Sequence, residues 1–124
     1  MKTSRVLLVE HDRLLRKVCA ASLQQRGFDV MTAADGEEGL SLALTGRPAL
    51  VLLDLLLPKM PGITVLEALK ADVATSSIPV VILSNSSRDE DRRRAMELGA
   101  AGYYVKANLS LRMLAHDVEK LVAA

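Results

Sequence analysis

The apolar positions of this chain switch between short unbroken runs and longer stretches of helical spacing. Val6-Leu7-Leu8-Val9, Leu50-Val51-Leu52-Leu53 and Val80-Val81-Ile82-Leu83 are wholly apolar and rich in branched residues. Runs of that kind suit strands covered on both faces, at the centre of a parallel sheet. Phe28 to Ala33 and Gly102 to Val105 mix in Asp29, Thr32, Tyr103 and Tyr104, and fit outer strands better.

Between the runs lie predicted helices. Leu14, Leu15, Val18, Cys19 and Leu23 make one apolar stripe, and Gly27 is placed to end that helix in the left-handed conformation. Asp35 with Glu38, and Ser87 with Glu90, set a capping oxygen three residues ahead of an acid, with Gly46 and Gly99 at the matching helix ends. Leu111, Leu114, Val118, Leu121 and Val122 give the last helix its buried face. Strand then helix, five times over with short connections, predicts an α/β fold: a doubly wound five-stranded parallel sheet with five helices. No linker, low-complexity tract or further repeat interrupts the pattern, so one domain over residues 1–124, with no output domain, is expected.

Composition narrows the function. With 124 residues, 50% apolar and 25% charged, the chain is sized for a single core. Sixteen Lys and Arg against fifteen Asp and Glu leave a charge of +1, which draws in neither nucleic acid nor an anionic membrane. A lone cysteine, Cys19, fits a reducing cytosol and reads as a small buried apolar residue. No apolar run has the length of a membrane span, so a soluble cytoplasmic protein is expected. His116 reads as a surface residue of the last helix.

In open sheets of this kind the ligand site lies beyond the carboxyl ends of the strands. The residues there are Glu10, His11 and Asp12, then Asp54, then Ser84 and Asn85, then Lys106. Carboxylates gathered at one edge repel unless a cation sits among them, and a lysine ammonium or Mg²⁺ would serve. A carboxylate can attack phosphorus to form an acyl phosphate if a metal, a fixed cation and a hydroxyl or amide donor hold the phosphoryl oxygens. Asp54, Lys106 and Ser84 supply those parts. Taken singly, Asp54 and Asp12 could also cap a turn and a helix.

Four segments carry a resemblance to a known family. Val6 to Asp12 is similar to a first strand with its acidic turn, and Leu53-Asp54-Leu55-Leu56-Leu57-Pro58-Lys59-Met60-Pro61-Gly62 to a phosphoacceptor loop. Ile78 to Ser84 resembles a fourth strand ending in Ser or Thr, and Leu98 to Lys106 a fifth strand ending in lysine. In this order they resemble the receiver domains of two-component response regulators, of the stand-alone chemotaxis-regulator kind with a flavodoxin-like fold. The resemblance covers essentially the whole chain.

The resemblance implies that Asp54 is the phosphoacceptor, Lys106 the cation paired with the phosphoryl group, and Ser84 the hydroxyl that turns toward it. It implies that Tyr103 is the switch aromatic, exchanging between exposed and buried positions as Ser84 moves. Mg²⁺ is implied, held by Glu10, Asp54 and the backbone carbonyl of Leu56, with Asp12 as a further candidate. His11 stands where the family usually has a second acidic metal ligand, and a neutral imidazole should weaken Mg²⁺ binding. Ala107 replaces the usual proline after the lysine, so the Lys106–Ala107 peptide is expected trans. Asn85 replaces a smaller residue and narrows the approach to the phosphoryl group. Leu56 and Ser86 hold hydrolytic water poorly, so slow self-dephosphorylation is expected.

The implied partners are a histidine kinase or phosphotransfer protein and a downstream protein target met by the face of the fourth helix, fifth strand and fifth helix. Arg88, Arg92, Arg93 and Arg94, interleaved with Asp89, Glu90 and Asp91, lie on that fourth helix. They read as a solvated face or as a partner contact. A monomer or a phosphorylation-dependent dimer is expected, with no direct contact to nucleic acid or membrane. The alternative is a degenerate receiver that keeps the fold as a binding module and takes no phosphate. An enzyme on the same architecture is disfavoured, because the first strand turn lacks a glycine-rich phosphate loop.

Overall fold

The computed structural model describes residues 3–123. Its elements alternate as β1 (Arg5–Val9), α1 (Arg13–Gln25), β2 (Asp29–Ala33), α2 (Gly36–Gly46), β3 (Leu50–Asp54), α3 (Gly62–Ala71), β4 (Val80–Ser84), α4 (Asp89–Glu97), β5 (Gly102–Val105) and α5 (Leu111–Ala123). A short 3₁₀ turn, Lys106–Asn108, joins β5 to α5. All strand pairs are parallel, in the order β2-β1-β3-β4-β5.

The three apolar runs are the three central strands, and the two mixed segments are the edges. Each strand residue in β3 and β4 is buried because neighbouring strands flank it and helices cover both faces. Alternate side chains divide between two cores. Leu7, Val9, Val51, Leu53, Val80 and Ile82 meet Val65, Leu66 and Leu69 of α3, Ala43 of α2 and Ala95 of α4. Val6, Leu8, Leu50, Leu52, Val81 and Leu83 meet Cys19 and Leu23 of α1 and Leu114, Ala115 and Val118 of α5. A fully buried Leu stabilises the fold by about 2 kcal/mol, so these layers hold the strand ends where the polar residues emerge.

The helix borders follow in part. Asp12 and Asp35 cap α1 and α2, accepting from the backbone N–H of Leu15 and Glu38, each at 2.9 Å. Gly27 takes φ +92° after α1 and Gly99 φ +104° after α4. Two expected borders differ. Gly46 remains the last helical residue of α2, and the left-handed position falls on Arg47, with φ 43°. Ser87 does not cap α4: the helix begins at Asp89 after Arg88, and the hydroxyl of Ser86 accepts from the Arg88 N–H at 3.2 Å. The stripe on α1 is also narrower than its sequence, since Leu14 and Val18 are exposed and only Cys19 and Leu23 are buried. α1 is covered on one side only, so the positions of the stripe turned furthest from Cys19 and Leu23 stay in water. In α5, Leu114 and Val118 are buried, while Leu111, Leu121 and Val122 are half-buried.

Candidate functional site

The strand order reverses between β1 and β3, whose neighbours lie on opposite sides in chain sequence. Parallel register sets Val9 beside Leu53 and Asp54 beside Leu83, so Glu10 emerges next to Asp54 at that reversal. Ser84 pairs with Val105, which puts Lys106 one residue beyond the next strand end. Topology thus gathers Glu10, Asp54, Ser84 and Lys106 from four strands to one edge.

Lys106 is the centre of the group. Its Nζ lies 3.0 Å from Asp54 Oδ2, 2.8 Å from Glu10 Oε1 and 3.1 Å from Glu10 Oε2. The directed hydrogen bond goes to Oε2; the Oε1 contact is shorter but off line, leaving Oε1 buried with no aligned donor. Glu10 and Asp54 are buried to within 2% of full burial. Burial pushes the Glu10 carboxyl above its ordinary range, with the Asp54 carboxylate acting the same way and Lys106 and the Asp12 N–H opposing. Burial alone would lower Lys106, but its contacts with Glu10 and Asp54 outweigh it and hold the ammonium charged.

Asp54 is tied on both oxygens. Oδ1 accepts from the Leu56 N–H at 3.0 Å, so the turn-capping reading of Asp54 holds alongside the ion contact. The following loop is fixed by tight packing. Gly62 N–H donates to Leu55 at 2.9 Å, and a Cβ on Gly62 would stand 2.2 Å from the Asp54 carbonyl oxygen. Lys59 reaches across to Asp35 at 3.5 Å.

A cleft of about 220 Å³ opens over this group, lined by Glu10, His11, Asp12, Leu15, Asp54, Leu56, Asn85 and Lys106. His11 is exposed at its rim, and Leu56 is 74% exposed. Ser84 is buried at the end of β4, and its hydroxyl accepts from the Ser86 N–H at 3.0 Å rather than lining the cleft. Asp12 lines the cleft while its Oδ1 is engaged as the α1 cap. Tyr103 is buried, with its hydroxyl donating to the Ser86 carbonyl at 2.9 Å, whereas Tyr104 is half-buried against the other core. No peptide bond is cis among the described residues, so Lys106–Ala107 is trans.

The donor set suits a hard cation in part. Two buried carboxylates and an unaligned Oε1 are oxygen ligands of the right kind, with Leu56 in the same cleft. Among the described residues, however, no three His, Cys, Asp or Glu side chains converge into a metal cage. One contact escaped sequence reading: Arg16, one turn into α1, donates to the carbonyls of Glu10 at 2.8 Å and His11 at 3.3 Å and pins the acidic turn. Its spacing gives no sequence signal, since in sequence an arginine at a helix start looks like any solvated one, although Arg16 is half-buried.

A parallel α/β sheet with an acid, a lysine and a buried hydroxyl at its carboxyl edge defines the class, and residues 6–118 match the response regulator receiver domain. The chain belongs to that family, the receivers of two-component signalling systems. The DNA-binding dual master transcriptional regulator RpaA of Synechocystis is 34% identical over 119 residues, covering 96% of this chain and 46% of that protein. The gliding motility regulatory protein of Myxococcus xanthus is 36% identical over 120 residues, covering 97% of this chain and 15% of that protein. The chain therefore spans less than half the length of either relative.

Among solved structures, a Francisella response regulator receiver domain superposes with a TM-score of 0.91 at 26% identity, covering 98% of both chains. The phosphorylated cyanobacterial phytochrome response regulator RcpA gives 0.81 at 30% identity over 97% of this chain and 91% of its own. The receiver domain of a Pseudomonas aeruginosa sensor histidine kinase, with magnesium coordinated in its active-site cleft, gives 0.89 at 23% identity over 99% and 100%, a likeness of fold alone. Among the described residues no helix is long and apolar enough to cross a membrane.

Proposed function

We propose that this domain is a phosphorylation switch, accepting a phosphoryl group on Asp54 from a phosphohistidine of a histidine kinase or phosphotransfer protein. The observation that carries the reading is Lys106 Nζ, 3.0 Å from Asp54 Oδ2 in an open cleft at the reversal of strand order. An Asp54 oxygen attacks phosphorus, the phosphorus–nitrogen bond to the donor histidine breaks, and an acyl phosphate forms. Lys106, held charged, pairs with a phosphoryl oxygen as the charge on Asp54 is consumed. Ser84, whose hydroxyl now accepts from the Ser86 N–H, would turn that hydroxyl to another phosphoryl oxygen.

Mg²⁺ held by Glu10, Asp54 and the Leu56 carbonyl would neutralise phosphoryl charge, as the magnesium in the Pseudomonas receiver and the phosphorylated state of RcpA suggest for relatives. With His11 in place of a carboxylate, that affinity is weak. The exposed Leu56 side chain orders no water for hydrolysis, so self-dephosphorylation is slow. Readout passes through α4, β5 and α5, where a groove of about 430 Å³ between β5 and α5, floored by the buried Leu114, offers the half-buried Tyr104 and Leu121 to a cytoplasmic protein partner.

The test is intact-mass spectrometry after incubation with acetyl phosphate and Mg²⁺, with Asp54→Asn as control. An added phosphoryl mass that the substitution abolishes is expected. No adduct with excess Mg²⁺ and a panel of kinases would favour a degenerate binding module, the second reading, for which the exposed His11 at the rim of the cleft speaks.

A further inference from the structure

Ser86, in the loop between β4 and α4, is a meeting point of four hydrogen bonds. Its N–H donates to Ser84 Oγ at 3.0 Å and its carbonyl accepts from the Tyr103 hydroxyl at 2.9 Å. Its own hydroxyl donates to the Asp91 carboxylate and accepts from the Arg88 N–H at 3.2 Å. One exposed-loop residue thus touches the buried hydroxyl of β4, the ring of β5 and the first turn of α4. Arg92, next to Asp91, sets its guanidinium carbon 5.2 Å from the Tyr103 ring centroid, within cation–π range.

The first turn of α4 has few other anchors. The one buried residue of the helix, Ala95, lies a turn further on, and no side chain caps the helix start. The Ser86–Asp91 contact is therefore the side-chain tie between the loop that offers the Ser86 carbonyl to Tyr103 and the first turns of α4. A buried phenol O–H that loses its acceptor is costly, and the ring would turn toward water to recover one.

We propose that Ser86 is a positioning residue whose hydroxyl, clasped on Asp91, holds Tyr103 in its inward position in the chain that carries no phosphoryl group. The inference deepens the switch reading and rests on it for its regulatory meaning: the readout face starts in the ring-in arrangement before any phosphoryl group is present. When Ser84 leaves Ser86 for a phosphoryl oxygen, the loop loses one anchor, and the Asp91 clasp with Arg92 keeps the ring in place.

The chain has two tyrosines and no tryptophan, so 3-fluorotyrosine labelling gives two ¹⁹F resonances, which Tyr104→Phe assigns. The unphosphorylated full chain is titrated with a soluble paramagnetic chelate, and the exposure of the Tyr103 ring is read from line broadening. In the unsubstituted chain and in Ser86→Thr, which keeps the hydroxyl, the ring should be shielded. In Ser86→Ala and Asp91→Ala the inward-to-outward ratio should fall about fivefold, the effect of one net hydrogen bond. A ring equally shielded in all four chains, or already open in the unsubstituted one, overturns the proposal. Intact mass on the same samples separates the two readings: a responsive ring without an Asp54 adduct sinks phosphorylation alone, whereas an adduct with an unresponsive ring sinks the clasp alone.

Discussion

Lys106 and Asp54 are joined by a 3.0 Å ion contact nearly closed to water, their side chains 13% and 3% exposed, and the same ammonium serves Glu10. One cation between two buried carboxylates makes the edge of the sheet both a stability element and a reactive one. Lys106→Met removes the cation and leaves like charges facing each other. The expected loss is about 2–3 kcal/mol in urea unfolding, near the low end for orphaning a buried charge because Glu10 can take up a proton. Phosphoryl uptake from acetyl phosphate should vanish in the same variant.

Glu10 supplies a pH test. Its carboxyl is raised above 4.5, chiefly by burial, so the folded chain binds that proton more tightly than the unfolded one. Stability should therefore fall as the pH climbs from 4.5 through the folded pKa. Glu10→Gln should flatten that limb and melt higher at pH 7, while differing little below pH 4.5. A stability difference between the unsubstituted chain and Glu10→Gln that moves in favour of the unsubstituted chain as the pH rises would reverse the direction assigned to Glu10.

Asp12 separates a cap from a ligand. Its Oδ1 accepts from the Leu15 N–H, so Asp12→Ala should cost about 1 kcal/mol and Asp12→Asn much less. If capping is its whole role, calorimetric Mg²⁺ affinity is unchanged in Asp12→Asn. A marked loss of affinity there would make Asp12 a metal ligand.

His11 is exposed at the rim of the cleft, where a carboxylate would add one negative charge beside Glu10 and Asp54. His11→Asp should raise Mg²⁺ affinity on the order of tenfold, as expected for one more charge at a partly solvated distance. Equal affinity in both proteins would show that the imidazole is not what limits binding.

The site was legible in the sequence because strand ends are. Each of the runs Val6–Val9, Leu50–Leu53 and Val80–Leu83 stops at a polar residue, and parallel strands with right-handed crossovers carry all those stops to one edge. Glu10, Asp54 and Ser84 could be named together on that ground, and Lys106 joins them as the polar residue that ends the mixed fifth strand. The helix caps were less legible. Ser86 rather than Ser87 receives the Arg88 N–H, and Arg47 rather than Gly46 takes the left-handed position, because several neighbouring residues can satisfy the same local rule.

By itself, then, the sequence determined the order of elements, the two-faced burial of the central strands and the set of polar residues at their carboxyl ends. Those follow from periodicity and chirality, which act over a few residues. Tertiary structure alone decided that Lys106 bridges Glu10 and Asp54, that Arg16 pins the acidic turn and that Ser86 links Ser84, Tyr103 and Asp91. Apart from the short spans from Glu10 to Arg16 and from Ser84 to Asp91, these contacts join separate elements, and their partners are chosen by helix placement and rotamers that no local pattern encodes. The same is true of Leu14 and Val18, whose exposure depends on which side α1 turns to the core rather than on their own apolar character.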